Sequence, residues 1–145
     1  MSSETTRQLV VFSLGEEEYA LPITHVQEII RYAEPRSVAA EDPWIRGVIS
    51  LRGKIVPVCD LAARLGLPVQ SDDNAKIVIV EADGRTAGVV VGEVEEVLSI
   101  RDEQVDAVPT SGADCIEGIV KLDDRLVVLL NPDGIFSGTE LAAAA

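Results

Sequence analysis

Trp44-Ile45-Arg46-Gly47-Val48-Ile49-Ser50-Leu51-Arg52-Gly53-Lys54-Ile55-Val56-Pro57-Val58-Cys59-Asp60-Leu61 sets two apolar, β-branched runs on either side of the short break Arg52-Gly53. β-branched side chains suit a pleated surface, and glycine supplies the backbone freedom of a tight turn, so the stretch predicts strand, turn, strand. Directly after it, Asp60-Leu61-Ala62-Ala63-Arg64-Leu65-Gly66 begins on a carboxylate at the N-cap position and ends on glycine, which predicts one or two helical turns.

Working outward, short β-type runs precede it at Leu9-Val10-Val11-Phe12 and Tyr19-Ala20-Leu21-Pro22-Ile23. The series then restarts with Ile77-Val78-Ile79-Val80, Gly88-Val89-Val90-Val91, Ile116-Glu117-Gly118-Ile119-Val120 and Leu126-Val127-Val128-Leu129-Leu130. Shifting the first half by 68 residues lays Leu9 on Ile77 and Val26-Gln27-Glu28-Ile29-Ile30 on Val94-Glu95-Glu96-Val97-Leu98. The same operation, three residues longer, lays Ile45-Arg46-Gly47-Val48-Ile49 on Ile116-Glu117-Gly118-Ile119-Val120. Asn131-Pro132-Asp133-Gly134-Ile135-Phe136 then matches the first helical piece, with a capping side chain followed by proline. The expected fold is all-β: two packed five-stranded β-barrels with one or two short helices, since closing a sheet removes its exposed edges. Neighbouring barrels that exchange strands give the same linear pattern, so sequence halves and spatial barrels need not coincide.

A chain of 145 residues that is 47% hydrophobic supports a single compact core-bearing unit. The polar residues 1–7 and the Ala-rich residues 138–145 are expected to be flexible ends around a domain at 8–137. Ala33 to Pro43, with two prolines and little periodicity, is expected to be a long surface loop. A formal net charge of -13 repels phosphate backbones and anionic lipid, which excludes nucleic acid as the natural partner. It suits docking to basic partner surfaces, or a saline interior. The amino terminus has no signal-peptide pattern and no apolar run spans a bilayer, so a cytoplasmic location without membrane insertion is expected.

The sequence carries no catalytic or metal constellation. His25 is the single histidine, with no second ligand at metal spacing. Cys59 and Cys115 sit beside apolar residues and read as buried reduced thiols; a nucleophilic Cys59, placed just before a helix start, is the alternative. Acidic groups such as Glu16-Glu17-Glu18 and Asp123-Asp124 lack the alternating oxygen ligands of a calcium loop. No phosphate-binding glycine motif occurs, so no cofactor is expected. A binding role is what elimination leaves.

The Trp44 to Leu61 stretch closely resembles the signature of the CheW family of chemotaxis coupling proteins. Phe12-Ser13-Leu14-Gly15-Glu16-Glu17-Glu18-Tyr19-Ala20 with Val26-Gln27-Glu28-Ile29-Ile30 resembles that family's opening hairpin, and Gly88-Val89-Val90-Val91 with Val97-Leu98-Ser99-Ile100 its second-lobe block. The resemblance implies two SH3-like barrels and a non-enzymatic adaptor in signal transduction. It implies two partners: the regulatory domain of a CheA-type histidine kinase and the cytoplasmic tip of a chemoreceptor. It also implies partner-binding residues at Glu28, Arg52, Gly47 and Val26, and at Ile77 and Val97 in the second lobe. On the residues alone, Arg52 can meet either Glu28 or a partner's carboxylate. Gly47 can serve close approach within a barrel or against a partner. Val26, Ile77 and Val97 can equally be core residues. Ser50 and Ala62-Ala63 depart from the family's usual asparagine and polar residues. The alternatives are the same role in a pilus-motility pathway, or a small-ligand or enzymatic barrel.

Overall fold

A computed structural model of the chain describes residues 6–37, 44–67, 75–82, 84–107 and 115–136. Its elements are β1 (Thr6–Leu14), β2 (Glu17–Pro22), β3 (Val26–Arg31), β4 (Ile45–Leu51), β5 (Lys54–Asp60), α1 (Leu61–Arg64), β6 (Lys76–Ala82), β7 (Arg85–Val91), β8 (Val94–Arg101), β9 (Val105–Asp106), β10 (Ile116–Leu122), β11 (Arg125–Leu130) and α2 (Pro132–Ile135). Single turns of 3-10 helix, Ile23–His25 and Asp102–Gln104, precede β3 and β9. Both short helices fall where capping chemistry predicts them: the Asp60 carboxylate accepts from the Ala63 N–H, and the Asn131 side-chain oxygen from the Asp133 N–H. Strand β1 takes in Thr6 and Arg7, which composition alone assigns to the flexible end; they pair with Arg101 and Ile100. Residues 1–5 and 138–145 of the expected flexible ends lie outside the described residues, as do residue 137 of the expected domain and 38–43 of the expected loop.

One sheet runs β8-β1-β2-β11-β10-β9 and the other β3-β6-β7-β5-β4. The sequence halves are therefore not the barrels. Lobe A takes β1 and β2 from the first half and its other strands from the second; lobe B takes β6 and β7 from the second half and β3, β4 and β5 from the first. The exchange is reciprocal at residue level. Val11 faces Glu96 and Val10 faces Val97 across β1 and β8, while Ile79 faces Glu28 and Val78 faces Ile29 across β6 and β3. Contacts in which each partner's equivalent returns the contact are the mark of a two-fold axis, here internal to one chain.

Three cores follow from this exchange. Leu9, Val11, Val127 and Leu129 fill lobe A, and Ile77, Ile79, Val56 and Val58 fill lobe B at the matching positions. The third core lies between the lobes, where Phe12, Leu14, Val78, Val80, Val89 and Leu130 meet. Strands β1 and β6 thus bury both faces, which is why Leu9 to Phe12 and Ile77 to Val80 read as continuous apolar runs instead of alternating ones.

Each sheet closes through the chain that leaves its own end strand. Beyond β3, Arg36 exchanges both backbone hydrogen bonds with Val48 of β4, at 2.8 and 2.9 Å. Beyond β8, β9 does the same work, pairing Asp106 with Ile119 of β10. The closure needs glycine. A Cβ on Gly47, whose φ is 146°, would stand 2.1 Å from the Arg36 carbonyl oxygen, and one on Gly118 would stand 2.7 Å from that of Asp106. Gly47→Ala, which adds backbone strain to the clash, is expected to cost about 3 kcal/mol or more in urea unfolding, and Gly118→Ala distinctly less. Equal costs would show that the closure does not depend on the φ of Gly47.

Candidate partner-binding faces

The β4–β5 turn, Arg52-Gly53, joins Leu51 and Lys54 with φ of 52° and 80° at its two residues. Positive φ at both positions defines the tight hairpin turn whose twist matches the flanking strands, and it ordinarily selects Asn, Asp or Gly. Arg52 is the one non-glycine residue with positive φ among the described residues, and its side chain is 74% exposed. Opposite it, β3 carries a bulge between Val26 and Glu28, which re-aims the strand's side chains. The result is a two-pronged ion pair. Arg52 Nη2 donates to Glu28 Oε1 at 3.0 Å, and Nη1 donates to Oε2. The bond to Glu28 raises the Arg52 guanidinium above its ordinary value.

The two-fold places a related arrangement on lobe A. Glu96, the equivalent of Glu28, follows a bulge at Glu95 and bonds Arg125 at 2.9 Å; Arg125 also grips Glu18 at 2.7 and 3.0 Å. The turns differ in sign: Leu51-Arg52-Gly53-Lys54 on lobe B corresponds to Leu122-Asp123-Asp124-Arg125 on lobe A. Burial, and then the neighbouring Glu18 and Glu93 carboxylates, raises the Glu95 carboxyl above the usual range.

Large apolar side chains exposed among the described residues fall into the same symmetry. They are Ile29 and Ile55 on lobe B, 39% and 68% exposed, and their equivalents Val97 and Leu126 on lobe A, 53% and 60% exposed. Each lobe therefore shows solvent two apolar side chains and a salt-bridged glutamate, beside a turn whose charge differs between lobes.

Of the residues expected at partner surfaces, Glu28 and Arg52 are brought together and Val97 is exposed. Val26 is half-buried against the inter-lobe core. Gly47 is buried at the barrel closure, so its close approach is to the chain's own backbone. Ile77 departs from expectation: it is fully buried inside lobe B against Ile79 and Val58, and cannot touch a partner. The exposed positions also include Ile29, Ile55 and Leu126, whose orientation has a signal in the sequence. Val56 and Val58 point inward, so the intervening register of β5 points Ile55 out, and the repeat carries that result to Leu126.

Neither Cys59 nor Cys115 is in a disulfide, and both are buried in the inter-lobe core, which denies Cys59 the solvent access a nucleophile needs. Among the described residues no group of three His, Cys, Asp or Glu side chains is placed to hold a metal ion. His25 borders an open cleft of about 480 Å³ with Arg7, Ser99, Glu117 and Asn131. There Arg7 and Glu117 neutralise each other at 2.8 Å. A part-buried network centres on the buried Asp60, which caps α1 and accepts from Arg46 at 2.9 Å, while Arg46 also donates to the Tyr32 hydroxyl at 3.1 Å.

The model of the CheW-like domain matches residues 8–140. The chain belongs to the CheW family. A probable chemotaxis protein CheW of Rhizobium etli is 33% identical over 144 residues, covering 95% of this chain and 92% of its own length. The chemotaxis protein CheW of Klebsiella aerogenes is 33% identical over 98% of this chain and 89% of its own. The crystal structure of the scaffolding protein TtCheW from Thermoanaerobacter tengcongensis superimposes with a TM-score of 0.85 at 34% identity, covering 92% of this chain and 94% of that one. The fold is accordingly the paired β-barrel of CheW proteins, and the role is that of a chemotaxis scaffold. No helix among the described residues is long and apolar enough to cross a membrane.

Two measurements separate structural from surface ion pairs. Asp60→Ala removes a helix cap and strands Arg46, and is expected to cost about 1–2 kcal/mol from the cap alone. Arg52→Ala is expected to leave the melting temperature nearly unchanged, because exposed pairs contribute little. A carboxyl raised in the folded state adds stability below its unfolded value and withdraws it as pH climbs through its folded one. Glu95→Gln is therefore expected to raise the melting temperature slightly at pH 7 and leave it unchanged at pH 3, which thermal scans at both values check.

Proposed function

We propose that this CheW-family chain bridges the regulatory domain of a CheA-type histidine kinase and the cytoplasmic tip of a chemoreceptor, and works in the cytoplasm without catalysis of its own. The supporting observation is that each lobe carries, at symmetry-related positions, two exposed apolar side chains and a salt-bridged glutamate, beside turns that differ in charge. A bridge needs two docking faces on one rigid body, and differing charge lets each select a different partner. Arg52 adds weight. An arginine held at positive φ and largely exposed does not repay its backbone strain through burial, and such strain clusters at functional sites.

In this reading Glu28 and Arg52, with Ile29 and Ile55, form one contact face, and Val97 and Leu126 form the other. Val26 supports β3 from beneath. Gly47 acts by closing lobe B behind the Arg52 turn, and Ile77 serves the core.

Pull-down of the chain with the kinase regulatory domain and with the receptor tip tests the reading, and binding to neither overturns it. Glu28→Arg is expected to weaken partner binding at nearly unchanged melting temperature; a large fall in stability would mark Glu28 as structural. Ile55→Asp and Leu126→Asp are expected to impair different partners. Loss of the same single partner in both would reduce the two faces to one.

A further inference from the structure

Helix α2 leaves the last strand of lobe A but packs against β6 of lobe B. Its final carbonyls are held there by a residue of lobe B. Arg64, at the end of α1, donates from Nε to the Ile135 carbonyl at 3.0 Å and from Nη2 to the Gly134 carbonyl at 3.4 Å. Its guanidinium lies 5.5 Å from the centre of the Trp44 ring, and Trp44 in turn meets Phe136, ring centres 6.5 Å apart. Trp44 is tied to lobe B by its carbonyl, which accepts from the Asp60 N–H at 2.7 Å.

The internal two-fold gives this clasp its meaning. The repeat that lays Leu61 on Pro132 lays Arg64 on Ile135, so Arg64 bonds its own equivalent. A position touches its equivalent only close to the axis, where the two lobes meet, so this bond crosses the seam between them directly. The clasp is also one-sided: Ile135 has no donor to return, so a single guanidinium fork does the fastening. Arginine suits that place because its planar donors reach two carbonyls at once while the same plane lies on an indole.

We propose that Arg64 is a positioning residue that sets the angle between the two lobes, and with it the angle between the two docking faces. The second half of this statement rests on the bridging function proposed above. A partner that touches one face is indifferent to the angle. An assembly that engages both faces at once depends on it, because simultaneous engagement is lost when geometry forbids it.

The test uses the full chain with spin labels on Ser50→Cys and Lys121→Cys, equivalent exposed positions on the two lobes, while Cys59 and Cys115 stay buried. Arg64→Met keeps a stem to pack on Trp44 and removes the donors. It is expected to broaden or displace the inter-lobe distance distribution in pulsed electron resonance. Affinity for the kinase domain alone and the receptor tip alone should stay within about twofold, while capture of the second partner by the preformed complex falls by about fivefold or more. Arg64→Lys keeps the charge without the fork and is expected to behave as Arg64→Met; full restoration by lysine overturns the carbonyl clasp. An unchanged distance distribution in Arg64→Met overturns the proposal outright, as do equal losses for the single partners. If the unmutated chain bound neither partner, the bridging function would fail, and the distance measurement would still decide what Arg64 does.

Discussion

Everything in this structure depends on two strands that bury both of their faces. Leu9 and Val11 of β1 look into lobe A while Phe12 and Leu14 look into the junction; Ile77 and Ile79 of β6 look into lobe B while Val78 and Val80 look back. Such strands can be satisfied only if each lobe supplies a wall to the other. At roughly 25 cal/mol for each Å² of apolar surface removed from water, the shared wall is too large a contribution for either lobe to forgo. The lobes are thus one cooperative body and not two beads on a thread.

On that rigid body the internal two-fold would make two identical surfaces, and the sequence breaks the identity at chosen points. Arg52-Gly53 faces Asp123-Asp124 across the symmetry, and the Arg46–Asp60 pair of lobe B has Glu117 and Asn131 at its equivalent places. There Glu117 turns to Arg7 on β1. Core positions keep their character through the repeat while turn positions change sign. Selection for packing preserves the first set, and selection for distinct partners is free to act on the second.

Much of this architecture was legible in the residues. The repeat showed itself because inward positions of β5 and β11, Val56 with Val58 and Val127 with Leu129, stay apolar in both halves. Both helix starts were legible because Asp60 and Asn131 bring their own capping oxygens. The exchange of strands was not legible, since β3 and β8 carry the same pattern and nothing local says which hairpin each will join. For Ile77 the two signals diverge: the family resemblance implies a partner contact, while its unbroken apolar run points to the core, where the structure buries it. The two-residue β9 and the 3-10 turns carry too few residues for any periodicity.

The exchange also bears on how the molecule comes into being on the ribosome. Lobe B contains β3, β4 and β5, all made early, yet its central hairpin β6–β7 is encoded in the second half. Lobe A begins with the first hairpin made and waits for the last strand, β11, to pair beside it. A nascent chain stopped halfway therefore holds five strands and no finished barrel. Its apolar hairpins stay open to chaperones, or to neighbouring nascent copies, until translation is nearly done. Neither lobe can be completed before the second half of the chain has been made.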